Sequence, residues 1–327
     1  MALLLTEADV RAILTMPLTM EWVETSFRRL ADKSATCHPR RRLRMAERGL
    51  MNYMAATDSA GGYMGLKIYT VSPNGVRFIV PLFSSRTGEL CALIEADYLG
   101  QMRTGAATGV ATRVLSRADA RTVGIIGTGL QSRTQLEAVS HARRLELVRA
   151  YGRDAARREK FAEEMTALLR VPIDAVDSAE EAVRDADIII TSTTASKPVV
   201  AGRWLRPGMH MNAIGSNFAE KQEIDAEAVE RCDVIAADSV EQSKIEAGDL
   251  IQAFGGDQSR WSAVRELSDI IAGTTPGRTN HDQITLFKSN GIAIEDVVVG
   301  GRVYEIARER CMGREVPMWQ DVLSAQA

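Results

Sequence analysis

Apolar residues in the middle of the chain fall into short β-branched runs, and between the runs they recur every three or four positions. The run RTVGIIG (121–127) predicts a fully buried parallel strand that ends in glycine. A helical stretch follows over 130–142, then a second strand over 145–151. Within 154–169, Phe161, Met165, Leu168 and Leu169 stand at helical spacing and predict the next helix. A short strand over 171–176 leads to Ser178 and Glu181, a capping-box pattern that opens a brief helix. Strands over 187–192, 208–215 and 233–238 continue the series. Such alternation predicts an α/β fold, a doubly wound parallel sheet of Rossmann type, placed at 116–295.

The first 115 residues carry a different pattern. Helices are predicted over 6–14 and 17–33, and Pro17 suits a helix start because its missing N–H is not needed there. Strand-like pieces follow over 50–56, 63–71, 76–85 and 89–96, with RTG (86–88) as a hairpin turn. Helices followed by antiparallel strands predict an α+β domain over 1–115. The segment 100–116 is rich in small residues and reads as a helical link between the domains. A last helix, about 295–311, ends the parallel series, so 296–327 returns to the first domain. The basic run RRRLR (40–44) is either a solvated strand face or an anion site.

Composition narrows the function classes. The 327 residues hold 40 basic and 43 acidic side chains, a net charge of −3, which argues against a nucleic-acid partner. No apolar run approaches the ~20 residues that span a bilayer, so no membrane partner is expected. The start, MALLLTEADV, lacks a basic n-region and does not read as a signal peptide. Cys37, Cys91, Cys232 and Cys311 are far apart without a CxxC pair, and read as reduced thiols of a cytoplasmic protein. The four histidines show no ligand spacing, so no metal site is expected.

The strongest chemical signal is GIIGTGLQS (124–132). Gly127, Gly129 and Ser132 occupy the G-x-G-x-x-G/A positions between a strand and a helix. Gly127 allows the tight turn, Gly129 lets backbone approach a pyrophosphate, and Ser132 is small enough for close packing. Gly127, Thr128, Gly129, Leu130 and Gln131 are thus candidate contacts of a dinucleotide held at the helix N-terminus. The next strand ends Tyr151-Gly152-Arg153-Asp154. The position where an acid accepts from a ribose 2′-OH is Gly152, and Arg153 follows, which favours the extra phosphate of NADP(H) over NAD(H). The other reading has Arg153 solvated and Asp154 serving the 2′-OH. Ser192, Thr193 and Thr194 follow the fourth parallel strand and would face the ribose or nicotinamide. His210, inside a predicted buried strand, reads as a packed residue.

In several segments the chain resembles the ornithine cyclodeaminase/mu-crystallin family. These are YMGLKIYT (63–70), RTGAATGVAT (103–112), VGIIGTGLQSRTQLEAV (123–139), LRPGMHMNAIGSN (205–217), EAGDL (246–250) and FKSNGIAIEDV (287–297), in family order. The resemblance implies a substrate and dimerisation domain in the first part, a Rossmann domain, and a homodimer. It implies that Lys67 lies beside nicotinamide and substrate, that Arg103 binds the substrate carboxylate, and that Thr104 contacts the cofactor. A second carboxylate-binding arginine in the family's P-x-R pattern matches Pro39 and Arg41, with Arg42 and Arg44 close by. Ser289, Asn290 and Gly291 match the segment that closes over the nicotinamide. By residue type alone, Lys67 reads as well as a solvated strand lysine, and Arg103 as a partner of Glu95 or Asp97.

One departure from the family matters. The cyclodeaminases carry a water-activating aspartate where this chain has Asn217, and an amide cannot take a proton from water. Arg153 and Asn217 together therefore point to the NADPH-using ketimine reductase branch. The expected activity is reduction of a cyclic ketimine carboxylate, a small amino or imino acid, with Asn217 hydrogen-bonding in the site. The alternatives are an ornithine cyclodeaminase or amino-acid dehydrogenase and, in another class, a non-catalytic NADPH-binding protein.

Overall fold

The computed structural model describes residues 1–44 and 49–318. The chain forms two compact units, Met1–Arg103 with Ile292–Ala327, and Thr104–Gly291. The expected start of the second domain, 116, falls twelve residues inside this second unit, and its expected end, 295, falls four residues beyond it.

The leucine run at the start is a strand, β1 (Ala2–Leu5), followed by α1 (Glu7–Ile13). Thr6 and Asp9 form a capping box: Asp9 Oδ2 accepts from the Thr6 N–H at 2.9 Å, and the Thr6 hydroxyl accepts from the Asp9 N–H at 3.4 Å. α2 (Met16–Ala31) has Pro17 in its first turn, as expected. An antiparallel meander follows: β2 (Ala35–Arg44), β3 (Leu50–Asp58), β4 (Tyr63–Ser72), β5 (Gly75–Ser84) and β6 (Leu90–Glu95). α3 (Asp97–Leu115) then carries the chain into the second unit.

In the second unit β7 (Thr122–Ile126), α4 (Leu130–Ala142), β8 (Leu147–Tyr151), α5 (Ala155–Leu169), β9 (Ile173–Ala175), α6 (Ala179–Val183), β10 (Ile188–Thr191) and β11 (His210–Ala213) alternate as expected. They are followed by α7 (Ala226–Glu230), β12 (Val234–Ala237), α8 (Val240–Glu246), α9 (Gly248–Phe254), β13 (Val264–Glu266), α10 (Leu267–Ala272) and β14 (Thr285–Lys288). The strands form one parallel sheet in the order β13-β12-β14-β11-β10-β7-β8-β9. The doubly wound sheet is therefore present. β13 and β14 were not expected, because each is short and carries charged or polar residues (Arg265, Glu266, Thr285, Lys288) that hide the apolar signal of a buried strand.

The chain returns to the first unit as α11 (Ala293–Glu309) and β15 (Arg314–Val316). The sheet there runs β15-β1-β6-β5-β4-β3-β2. β1 pairs parallel with β6 and antiparallel with β15, so neither end of the described chain is loose. Strand alternation gives the sheet two faces. Met54, Ala56, Val80, Leu82, Ala92 and Ile94 are buried on one face, where α2 and α11 pack. Gly65 belongs to this face: a Cβ there would lie 2.8 Å from Pro81 O and 3.3 Å from Val297 Cγ2, so only glycine lets α11 approach. The opposite face carries Met51, Tyr53, Leu66, Ile68, Ile79 and Leu93, only partly covered. A cavity of about 580 Å³ on it is lined by Ala55, Met64, Leu66 and Phe83 among others.

Candidate active site

Lys67 sits on β4 with its side chain on the helix-covered face, opposite Met54 of β3. A lysine on that face is fully desolvated, so it needs a partner. It finds one in the first turn of α11: Lys67 Nζ donates to Asp296 Oδ1 at 2.6 Å. Arg103, from α3, donates through Nη1 to the neighbouring Glu295 Oε2 at 2.8 Å, and its Nε lies 3.3 Å from Asp296 Oδ1. All four side chains are buried. Acids in a first turn also meet the positive end of the helix dipole. Gly100 makes room for the ammonium, since a Cβ there would come within 3.2 Å of Nζ.

The Lys67 ammonium is less basic than usual, its pKa lowered from 10.5 to about 8. Burial is the largest cause, and the Arg103 charge adds to it. The charge and hydrogen bond of Asp296 pull the other way, and Arg40 lowers it further. β2 bulges between His38 and Arg41, and Arg40 is the arginine turned inward, 4% exposed. Arg41, singled out by the P-x-R pattern, is exposed, as is Arg44, and Arg42 is half-buried. Arg103 does not pair with Glu95 or Asp97: Glu95 accepts from the Glu7 N–H and Asp97 from the Phe78 N–H.

The glycine loop lies where the sequence places it. Gly127 has φ +107°, a left-handed conformation, and a Cβ there would meet Ser192 O at 2.2 Å. Gly129 is the N-cap of α4. Its N–H donates to Ser132 Oγ at 3.2 Å, and a Cβ on it would meet nothing within 4 Å. Glycine supplies no side chain to cap the first N–H groups of α4, which fits an anionic pyrophosphate. Thr128 is half-buried and Leu130 is 68% exposed. Gln131 has a buried Oε1 that finds no hydrogen-bond partner among the described residues. These features fit a dinucleotide.

At the end of β8, a Cβ on Gly152 would lie 2.7 Å from Thr128 Oγ1, so an acidic side chain is not accommodated there. Asp154 caps α5, its Oδ1 accepting from the Arg157 N–H at 3.0 Å. Arg153 is exposed, and Arg158 is tied to Asp177 and to the Gly152 carbonyl.

The loops after β10, β11 and β14 are held from beneath by buried acids. Glu223 accepts from Thr191 Oγ1 at 2.8 Å, from the Thr193 N–H and hydroxyl at 2.6 and 2.7 Å, and from the Gly215 N–H at 2.6 Å. Burial raises its pKa, while the Lys288 charge opposes the rise. Lys288 Nζ bridges Asp249 Oδ2 at 2.7 Å and Ser216 O at 2.6 Å, next to half-buried Asn217. Asp238 accepts from the Asn290 and Gly291 N–H groups at 2.7 and 2.6 Å, and Asn290 Nδ2 also donates to Ser243 Oγ. Thr193 and Asn290 therefore spend side-chain hydrogen bonds on shaping their own loops. Thr104, one residue past Arg103 on α3, is half-buried. His210 is packed: Nδ1 meets Thr285 Oγ1, Nε2 meets Asn212 Oδ1, and burial lowers its pKa to about 3, so it stays neutral.

Residue reasoning missed Arg40, Glu223, Asp238, Lys288, Glu295 and Asp296. The last two had a readable sign: adjacent acids opening the otherwise apolar helix AIEDVVVGG. Buried acids at such a place imply cations nearby.

Comparison with known proteins points to one family. The profile of the ornithine cyclodeaminase/mu-crystallin family matches residues 1–310. A Delta(1)-pyrroline-2-carboxylate reductase of Bacillus cereus is 38% identical over 261 residues, 77% of this chain and 80% of that protein. The structure of the Thermococcus litoralis Delta(1)-pyrroline-2-carboxylate reductase, in complex with NADH and L-proline, superposes with a TM-score of 0.92 at 36% identity, covering 96% of this chain and 100% of that one. An archaeal alanine dehydrogenase dimer with bound NAD has a TM-score of 0.88 at 33% identity, covering 97% and 99%.

Proposed function

The chain belongs to the ornithine cyclodeaminase/mu-crystallin family, and from that premise we propose that it is an oxidoreductase that uses NADP(H) to reduce a cyclic ketimine carboxylate of the pyrroline- or piperideine-2-carboxylate type. The observation that carries this reading is the buried Lys67, with a pKa near 8, held by Asp296 and flanked by Arg103. Arg103 grips the substrate carboxylate, since a guanidinium matches its two oxygens. Arg40 assists from β2, while Arg41, the family-pattern candidate, would act only from an exposed position. Lys67 orients the imine and supplies the proton that ends on the amine nitrogen. When bound, the reduced nicotinamide supplies the hydride that the imine carbon accepts. Gly127 to Gln131 hold the pyrophosphate, and Thr104, Thr193 and the Asn290 loop border the nicotinamide end.

Asn217 contributes a hydrogen bond and no base. Hydrolysis of an iminium by activated water therefore lacks its proton acceptor, which favours the reductase over a cyclodeaminase. NADP(H) is preferred because Arg153 stands beside Gly152 while Asp154 is engaged in its cap. The apolar outer face of the first sheet is the surface through which two copies would form a homodimer. The four thiols are unbridged, and no helix among the described residues is long and apolar enough to cross a membrane. The unbridged thiols support placement in the cytoplasm.

The test is incubation of purified protein with pyrroline-2-carboxylate and piperideine-2-carboxylate, each with NADPH and with NADH, following loss of the reduced cofactor. Ornithine is tested separately for ammonia. Imine-dependent oxidation of NADPH is expected. Ammonia release from ornithine without net cofactor turnover would replace this reading with the cyclodeaminase. Tight NADPH binding without turnover on any imino or amino acid would replace it with the binding protein.

A further inference from the structure

Asn52 lies on β3, 1% exposed, on the same face of the sheet as Lys67. Among the described residues, neither its Oδ1 nor its Nδ2 finds a hydrogen-bond partner. An amide buried with both ends unpaired is costly and uncommon, and calls for a partner. Its surroundings show which kind. The ladder places Arg42 opposite it on β2 and Tyr69 opposite it on β4. Lys67 is two residues from Tyr69 on the same strand face, so Asn52 and Lys67 are diagonal neighbours across the β3–β4 pair. Tyr69 stacks on Phe78 at 4.7 Å, and Lys67 Nζ sits 5.1 Å from the centroid of the same Phe78 ring. The amide and the catalytic ammonium therefore border one aromatic wall.

We propose that Asn52 is a substrate-binding residue, which reads the carboxylate and the ring nitrogen of the imino acid alongside Arg103. Nδ2 donates to a carboxylate oxygen, and Oδ1 accepts from the N–H of the protonated ring nitrogen. A neutral amide balances no second positive charge, so the residue favours monoamino substrates over diamino acids. This inference rests on the reading of Lys67 and Arg103 as the substrate site.

The test is Asn52→Leu, which has the same number and branching of side-chain heavy atoms and no polar atoms. With the imino acid that wild type reduces best, KM rises about tenfold or more, while the NADPH Kd, read by fluorescence titration, stays unchanged. The melting temperature holds or rises, because an unpaired buried amide has been removed. If KM is unchanged and the melting temperature falls, Asn52 is a structural residue and the inference fails. Should the leucine variant not fold, Asn52→Asp keeps the shape, loses the donor, and must show the same rise in KM. A second arm separates this inference from the functional reading. If wild type reduces no imino acid, the function is wrong, and the thermal shift with L-proline decides Asn52 alone. A shift present in wild type and lost in Asn52→Leu supports the contact; any other pattern overturns it.

Discussion

Lys67 Nζ and Asp296 Oδ1 lie 2.6 Å apart, the lysine on a strand and the aspartate at the start of a helix 229 residues later, both closed off from water. Burial and Arg103 pull the ammonium toward neutrality, and Asp296 holds it charged. Imine reduction needs the protonated form, so kcat/KM should fall as pH rises through about 8. Asp296→Asn removes the anion that favours the charged form, so the falling limb should move to lower pH. A pH–rate profile measures this, and an unmoved limb would mean that Asp296 does not set the lysine's charge.

The arginines make a sharper contrast. Arg103→Lys keeps the charge and loses the planar fork, and KM for the imino acid should rise about tenfold or more with NADPH affinity unchanged. Arg40→Met should also raise KM. Arg41→Ala should leave it within about twofold, because an exposed charge is screened by solvent. A large effect at Arg41 and none at Arg40 would restore the assignment suggested by the P-x-R pattern.

Cofactor choice is testable at one position. Arg153→Asp should raise the NADPH KM about tenfold or more and leave the NADH KM nearly unchanged, since only NADPH carries the 2′-phosphate. Equal changes would show that Arg153 does not touch that phosphate.

The outer sheet face supplies a prediction about assembly. Ile79 is 39% and Leu93 is 36% exposed on it. Burying an unpaired carboxylate in an apolar contact is strongly unfavourable, so Ile79→Glu should turn a dimer into a monomer. Sedimentation velocity of both proteins decides; a dimer that survives the charge assembles elsewhere.

Glu266 links pH to stability. Burial and the nearby Asp238, Asp269 and Glu241 raise its pKa from 4.5 to about 7, against the hydrogen bond from the Val240 N–H. A carboxyl whose folded value is raised binds its proton more tightly when folded. Its contribution is therefore full below the unfolded value, and is lost as pH rises through about 7. Glu266→Gln keeps the acceptor and removes the titration, so its melting temperature should exceed wild type at mildly alkaline pH, with the gap closing in acid.

The parallel sheet and the glycine loop were legible because their signals are local. A β-branched run, a glycine with no room for a Cβ and a following helix sit within a dozen residues, and each is required by chain geometry alone. Lys67 and Arg103 were legible only through family segments, since a lysine on a strand has the same local appearance buried or solvated. The strand face that buries Lys67 is chosen by α11, whose packing surface comes from the far end of the chain. The bulge in β2 decided that Arg40 turns inward and not Arg41, and one added residue in a strand reverses which side chains face the core. Sequence thus determined the alternating strands and helices of 121–192 and the glycine turn after the first of them. Tertiary structure decided which charges meet, because ion pairs between residues hundreds of positions apart leave no periodic trace in either segment.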